Sequence, residues 1–81
     1  MYLEILTPSK KVFAGDIKLV KVPGSAGSFE IMKNHAPIIS TLDEGNVRVV
    51  TPDNEIQNFG IKSGVVQVLE NKVIILAESL L

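Results

Sequence analysis

Ser63-Gly64-Val65-Val66-Gln67-Val68-Leu69-Glu70-Asn71-Lys72-Val73-Ile74-Ile75-Leu76-Ala77 is a pair of β-branched apolar runs meeting at Glu70-Asn71. Val66 and Val68 alternate with Gln67, and the second run is continuously apolar. That is how strands read, with one or both faces covered. Glu70-Asn71 supplies the turn residue that tolerates positive φ, so the segment predicts a tight hairpin, Val65 to Leu69 against Lys72 to Ala77. The uninterrupted apolar stretch Val73 to Ala77 is far below the ~18 residues of a membrane-spanning helix.

The same texture extends outward over the whole chain. Strands are predicted at Tyr2 to Leu6, Val12 to Ala14, Ile17 to Val22, Ser28 to Met32, Pro37 to Leu42, Asn46 to Thr51 and Glu55 to Lys62, with no good place for a helix. Pro8-Ser9, Pro23-Gly24, Asp43-Glu44-Gly45 and Pro52-Asp53-Asn54 punctuate them with preset φ, accessible positive φ and side-chain turns. Ile56 and Phe59 are three apart and cannot share a face of a regular strand, which predicts a bulge or bend near Asn58. Without βαβ alternation, such strands close into two packed sheets. The expectation is an all-β fold, a small antiparallel β-sandwich of about ten short strands, forming a single domain over 1–81.

Composition narrows the function. The chain has 81 residues, 46% of them apolar, with eight basic residues, nine acidic ones and a net charge of -1. That apolar share is rich for its size, and part of the excess is expected to face partners. Scattered, balanced charge is the wrong electrostatics for a phosphate backbone, which argues against nucleic acid. With no cysteine there is no disulfide framework or thiolate metal site. The opening Met1-Tyr2-Leu3-Glu4 lacks the charged and apolar regions of a secretory signal.

The chemistry-bearing residues do not assemble into a catalyst. Gly24-Ser25-Ala26-Gly27-Ser28 lacks the Gly-Lys-Ser/Thr and the helix of a P-loop. His35 is the only histidine, so a metal site would have to recruit carboxylates that show no ligand spacing. Ser25, Ser28 and His35 have no nucleophile elbow and no third group to orient a base. No cofactor, metal or small-molecule substrate is expected. A pocket of ~300 Å³ would also hollow out a core this small, whereas two contacts of ~800 Å² would occupy about a third of its surface. An adaptor that binds by its faces is the economical reading. One alternative is a biotinyl-like or lipoyl-like carrier domain modified at Lys33, because Ile31-Met32-Lys33-Asn34 places a lysine near a turn in an all-β chain. Asn34 stands where a biotin carrier has its second methionine, and no acidic residue precedes Lys33 as in many lipoyl domains.

Pro23-Gly24-Ser25-Ala26-Gly27-Ser28-Phe29-Glu30-Ile31-Met32-Lys33-Asn34-His35-Ala36-Pro37-Ile38-Ile39-Ser40-Thr41-Leu42 followed by Gly45 resembles the signature of the epsilon subunits of rotary F-type ATP synthases. Leu3-Glu4-Ile5-Leu6-Thr7-Pro8, Val12-Phe13-Ala14-Gly15 and the Ser63-Gly64 to Ala77-Glu78 hairpin match in the same order, so the resemblance spans essentially the whole chain. It implies a non-catalytic central-stalk β-sandwich whose partners are the gamma subunit and the membrane c-ring. It also implies a place on the cytoplasmic face of an energy-transducing, bacterial plasma membrane, coupling proton flow to ATP synthesis. Many relatives continue into a helical hairpin that brakes hydrolysis; with the sequence ending at Leu81, no inhibition by that route is expected.

The resemblance centres the partner surface on Ser28, Phe29, Glu30, Met32, Lys33, Asn34 and His35, with Ile38 and Ile39 beside them. For Phe29, Met32, Ile38 and Ile39, core burial competes with interface duty and is expected to win for at least half. Relatives commonly have glutamate at the position of Ser28, glycine at Glu30, and Pro-Gly at Lys33-Asn34. On a strand, Ser28 and Glu30 share a face, so Glu30 displaces that carboxylate by ~6.6 Å without changing sides. It is expected to meet the arginine that c-ring loops in this family typically offer, against the reading of a solvated strand-edge charge.

Overall fold

A computed structural model describes residues 1–81, with strands running from Tyr2 to Ala77. Nine strands form: β1 (Tyr2–Leu6), β2 (Lys11–Asp16), β3 (Leu19–Val22), β4 (Phe29–Met32), β5 (Ile38–Leu42), β6 (Gly45–Val50), β7 (Ile56–Ile61), β8 (Gly64–Leu69) and β9 (Lys72–Ala77). They make a five-stranded sheet, β2-β1-β9-β8-β5, facing a four-stranded one, β4-β3-β6-β7. No helix is long and apolar enough to cross a membrane.

The β8–β9 hairpin has the expected register, with Leu69 opposite Lys72. Glu70 and Asn71 take φ of 50° and 61°, the two consecutive positive values that match a two-residue turn to the twist of its strands. One pairing departs from the all-antiparallel expectation. β1 runs parallel to β9, Leu3 opposite Val73 and Ile5 opposite Ile75. Insertion of the first strand beside the last is a long-range choice that alternation, being local, does not encode.

The expected bulge near Asn58 is absent. β6 and β7 stay in unbroken register from Gly45 opposite Ile61 to Val50 opposite Ile56. Ile56 instead points outward, half-exposed, while Phe59 packs against the core. The irregularity lies in β2, where Ile5 pairs with Phe13 and Leu6 with Lys11, leaving Val12 without a partner. Adjacent Val12 and Phe13 both pack against the core, which strict alternation forbids and one extra residue permits.

Leu3, Ile5, Val66, Val68, Val73 and Ile75 from one sheet meet Val20, Val22, Ile31, Val47, Val49 and Ile61 from the other, all of them buried. Phe13 and Phe59 close one side edge-to-face, with centroids 5.8 Å apart. The opposite side is strapped by the β3–β4 loop, whose Gly24 bridges to Leu42 and whose Pro23 carbonyl accepts from the Asp43 N–H at 2.8 Å.

On the outer face of the larger sheet, Lys11 Nζ lies 3.1 Å from Glu4 Oε2. The hydrogen bond from Lys11 holds the Glu4 carboxyl below its ordinary 4.5, with Lys72 adding charge, and Glu4 in turn raises Lys11 above 10.5. Since the Glu4 value is depressed, its contribution to stability is present above pH 4.5 and is lost as pH falls through the lowered value. The Lys11 contribution is complete below pH 10.5 and is lost as pH rises through the raised one. Lys11→Met is expected to bring the Glu4 carboxyl back up toward 4.5 in an NMR titration; an unmoved midpoint would mean the pair does not form in solution.

Candidate functional site

The sandwich presents two ends and two outer faces, and the sequence-predicted residues are divided among them. Ser28 lies exposed in the β3–β4 loop, at the end where Ser25 Oγ donates to Asp43 Oδ1 at 3.0 Å. Lys33, Asn34 and His35 lie at the other end, beyond β4, roughly 16 Å from Ser28 at ~3.3 Å per extended residue. No single patch holds all nine.

Phe29 and Ile38 are half-buried and pack against the core, the placement that competes with interface duty for them. Phe29 pairs with Val22 and lies close enough to Gly24 that a side chain there would strike its ring. Ile38, opposite Val68, faces inward. Met32 and Ile39 do face solvent, on opposite sides of the molecule, Met32 at 53% exposure and Ile39 at 75%.

Glu30 sits on the outer face of the four-stranded sheet in a cross-strand row with Lys21, Arg48 and Asn58. It makes no ion pair there, since the one ion pair in the molecule is Lys11 with Glu4. Its carboxylate is therefore exposed and without an ion-pair partner on a row whose other charged members, Lys21 and Arg48, are basic. The next outward row is apolar and crosses all four strands: Met32, Leu19, Val50 and Ile56.

A second apolar surface includes Ile39 but otherwise lies outside the residues expected from the sequence. On the outer face of the five-stranded sheet, Leu6, Leu76 and Val65 form one row, with Ile74, Gln67 and Ile39 in the next. Leu69 extends the patch beside Lys72. Exposure reaches 54% at Leu76, 49% at Leu69 and 36% at Val65. The patch is interrupted by Gln67 and bordered by Glu4 and Lys72, and exposed apolar side chains grouped in this way make it a candidate interaction face. The sequence carried the signal in Val73 to Ala77 and Val65-Val66, where both parities of the strand are apolar although only one can point at the core.

Lys33 and Asn34 form a turn, but it belongs to the connection that leaves the four-stranded sheet at β4 and enters the five-stranded one at β5. Lys33 is thus not on a hairpin between paired strands, as the carrier alternative supposes. Asn34 takes φ of 64°. Its N–H donates to Asn71 Oδ1 at 2.6 Å, and Asn71 Nδ2 donates to Asn34 Oδ1 at 3.0 Å. The half-buried His35 donates its N–H to the Met32 carbonyl at 3.0 Å, with Nδ1 2.8 Å from the Ala36 carbonyl.

Comparison with known proteins gives one family. Residues 1–81 match the sequence model of the ATP synthase delta/epsilon chain β-sandwich domain. The chain is 42% identical over 76 residues to the ATP synthase epsilon chain of Chlorobium limicola, covering 94% of this chain and 86% of that one. It is 37% identical over 78 residues to that of Protochlamydia amoebophila, covering 96% of this chain but 53% of the relative. Among solved structures, a chain of the Euglena gracilis mitochondrial ATP synthase superposes with a TM-score of 0.91 at 14% identity, covering 98% of this chain and 51% of that one. A chain of the Tetrahymena thermophila mitochondrial central stalk and c-ring gives 0.83 at 17%, covering 99% and 64%. At those identities the two structures establish the sandwich fold alone.

Proposed function

This chain belongs to the ATP synthase delta/epsilon chain β-sandwich family, and from that membership we propose that it is a non-catalytic rotor component linking the gamma subunit to the membrane c-ring. In that place it couples proton translocation to ATP synthesis, peripherally, on the cytoplasmic face of the energy-transducing membrane. The observation that carries the reading is the exposed apolar face of the five-stranded sheet, which suits a protein partner and no small substrate. The family assignment displaces the Lys33 carrier alternative.

Gamma is the partner assigned to that face, with Leu76 on its central strand β9 and Ile39 on its edge strand β5. Ile39→Glu is expected to weaken gamma binding at least thirtyfold, the scale of a buried anchor of about 2 kcal/mol. Its far-UV spectrum and melting temperature should stay unchanged, because the wild-type side chain is 75% exposed. Wild-type affinity in this variant would move gamma to another surface.

Glu30 is proposed as the contact to the c-ring. Its free carboxylate at the four-stranded sheet's outer face supports this, and Glu30→Gln is the test. Loss of c-ring binding with gamma binding intact is the expected result. Unchanged c-ring affinity would reduce Glu30 to an exposed charge compensated by Lys21 and Arg48.

A further inference from the structure

The connection spanning residues 33–37 crosses between the sheets, and it is nearly bare of support. His35 N–H to the Met32 carbonyl is local, and so is His35 Nδ1 beside Ala36. The bonds that tie this segment to a distant part of the chain are the two made by Asn71. We propose that Asn71 is the positioning residue of the Lys33–His35 turn, clasping it in one geometry for its partner on the rotor; the partner half of this inference rests on the function proposed above.

The clasp is reciprocal. Asn71 Oδ1 accepts the Asn34 backbone N–H at 2.6 Å while Nδ2 reaches Asn34 Oδ1 at 3.0 Å, so one amide holds both the main chain and the side chain of the opposing asparagine. Two bonds fix orientation as well as distance. Asn71 is itself anchored, because its carbonyl accepts the Tyr2 N–H at 3.0 Å and it occupies the second position of the β8–β9 turn. Both asparagines hold left-handed backbone, φ 64° at Asn34 and 61° at Asn71, which asparagine tolerates better than other side-chain-bearing residues. Lys33-Asn34 has no proline to preset the turn. The rigidity that the local sequence lacks is therefore supplied from 37 residues away.

The clasp also joins the two partner surfaces. Asn71 follows Leu69 and Glu70 at the rim of the apolar face, and Asn34 follows Met32 at the rim of the other sheet. A turn held this way does not have to be ordered when the partner arrives, and that ordering otherwise weakens association.

Asn71→Gly in the full chain tests the inference, because glycine keeps the positive φ that the hairpin needs and removes only the amide. Amide exchange followed by NMR should show the Asn34 N–H exchanging about fivefold faster, the scale of one lost hydrogen bond, with the β8 and β9 amides unchanged. Asn71→Asp retains the acceptor for the Asn34 N–H and should restore protection once the Asn34 amide turns its NH2 toward the carboxylate. Affinity for a gamma and c-ring rotor subcomplex should fall about fivefold in the glycine variant and recover in the aspartate variant. Unchanged Asn34 exchange in Asn71→Gly would overturn the clasp. Faster exchange with unchanged rotor affinity would overturn its role in presenting the turn. A wild-type chain that does not bind the rotor would overturn the function itself and the partner half of the inference with it.

Discussion

Ile75→Ala is expected to remove about 3 to 4 kcal/mol of stability, the cost of emptying a tightly packed aliphatic site. Ile75 is fully buried and central in the larger sheet, flanked by Ile5 on the parallel strand β1 and Val66 on the antiparallel strand β8. Its neighbours are strands paired on both sides and cannot collapse inward to refill the space. A chain of this size has roughly 4 to 12 kcal/mol in total, at ~0.05 to 0.15 per residue. One substitution therefore costs about a quarter of it or more. Urea unfolding should show a lower midpoint at unchanged slope, and thermal unfolding a drop of about 15 °C or more. A change below about 1 kcal/mol would mean that the β1–β9 pairing does not enclose Ile75.

Gly64→Ala is expected to cost about 2 to 3 kcal/mol by the opposite mechanism, overfilling. Gly64 opens β8 between Ala77 and Leu42. A methyl group there would fall on the Leu76 carbonyl oxygen and lie 3.1 Å from the Ala77 Cα. Both obstacles are backbone, so no rotamer relieves them, and β8 and β9 must part. Gly15→Ala is the control, because its nearest atoms are the Phe13 ring at 3.8 Å, an ordinary contact. That variant should stay within about 0.5 kcal/mol of wild type. Equal effects at the two positions would indicate a general preference for glycine in place of the backbone approach at Gly64.

The β8–β9 hairpin was legible because its evidence is local: apolar runs of strand length and an asparagine at the turn. Strand existence followed for the same reason at all nine positions, with ends displaced by a residue or two, as at β2 and β3. Ile17, read as the start of a strand, is instead a buried link whose N–H donates to the Met1 carbonyl at 2.8 Å. The parallel β1–β9 pair was not legible, since nothing in Leu3 or Val73 specifies which distant strand lies beside it. The bulge was misplaced because Ile56 was assumed to face the core; adjacent Val12 and Phe13 carried the better signal.

For the candidate site, Met32, Lys33, Asn34 and Ile39 lie exposed, a placement that local alternation alone does not separate from core burial at Met32 and Ile39. Glu30 is exposed on a strand of the four-stranded sheet, as its alternation with Phe29 and Ile31 implies. The apolar outer face is hard to see in the sequence because Val65, Leu69, Ile74 and Leu76 lie in plain apolar runs, away from the distinctive stretch 23–42. Asn71 was read as a turn residue alone. Its contact with Asn34 spans 37 positions and appears only once both turns are placed at the same end of the sandwich.

Whether this chain rides on the rotor is decided by native mass spectrometry of the assembly released from its source membrane in mild detergent. The expected result is a subcomplex in which the chain is stoichiometric with gamma, remains with it when the c subunits are stripped, and carries no adduct on Lys33. Recovery of the chain apart from both gamma and c, or with a biotinyl or lipoyl mass on Lys33, would contradict it.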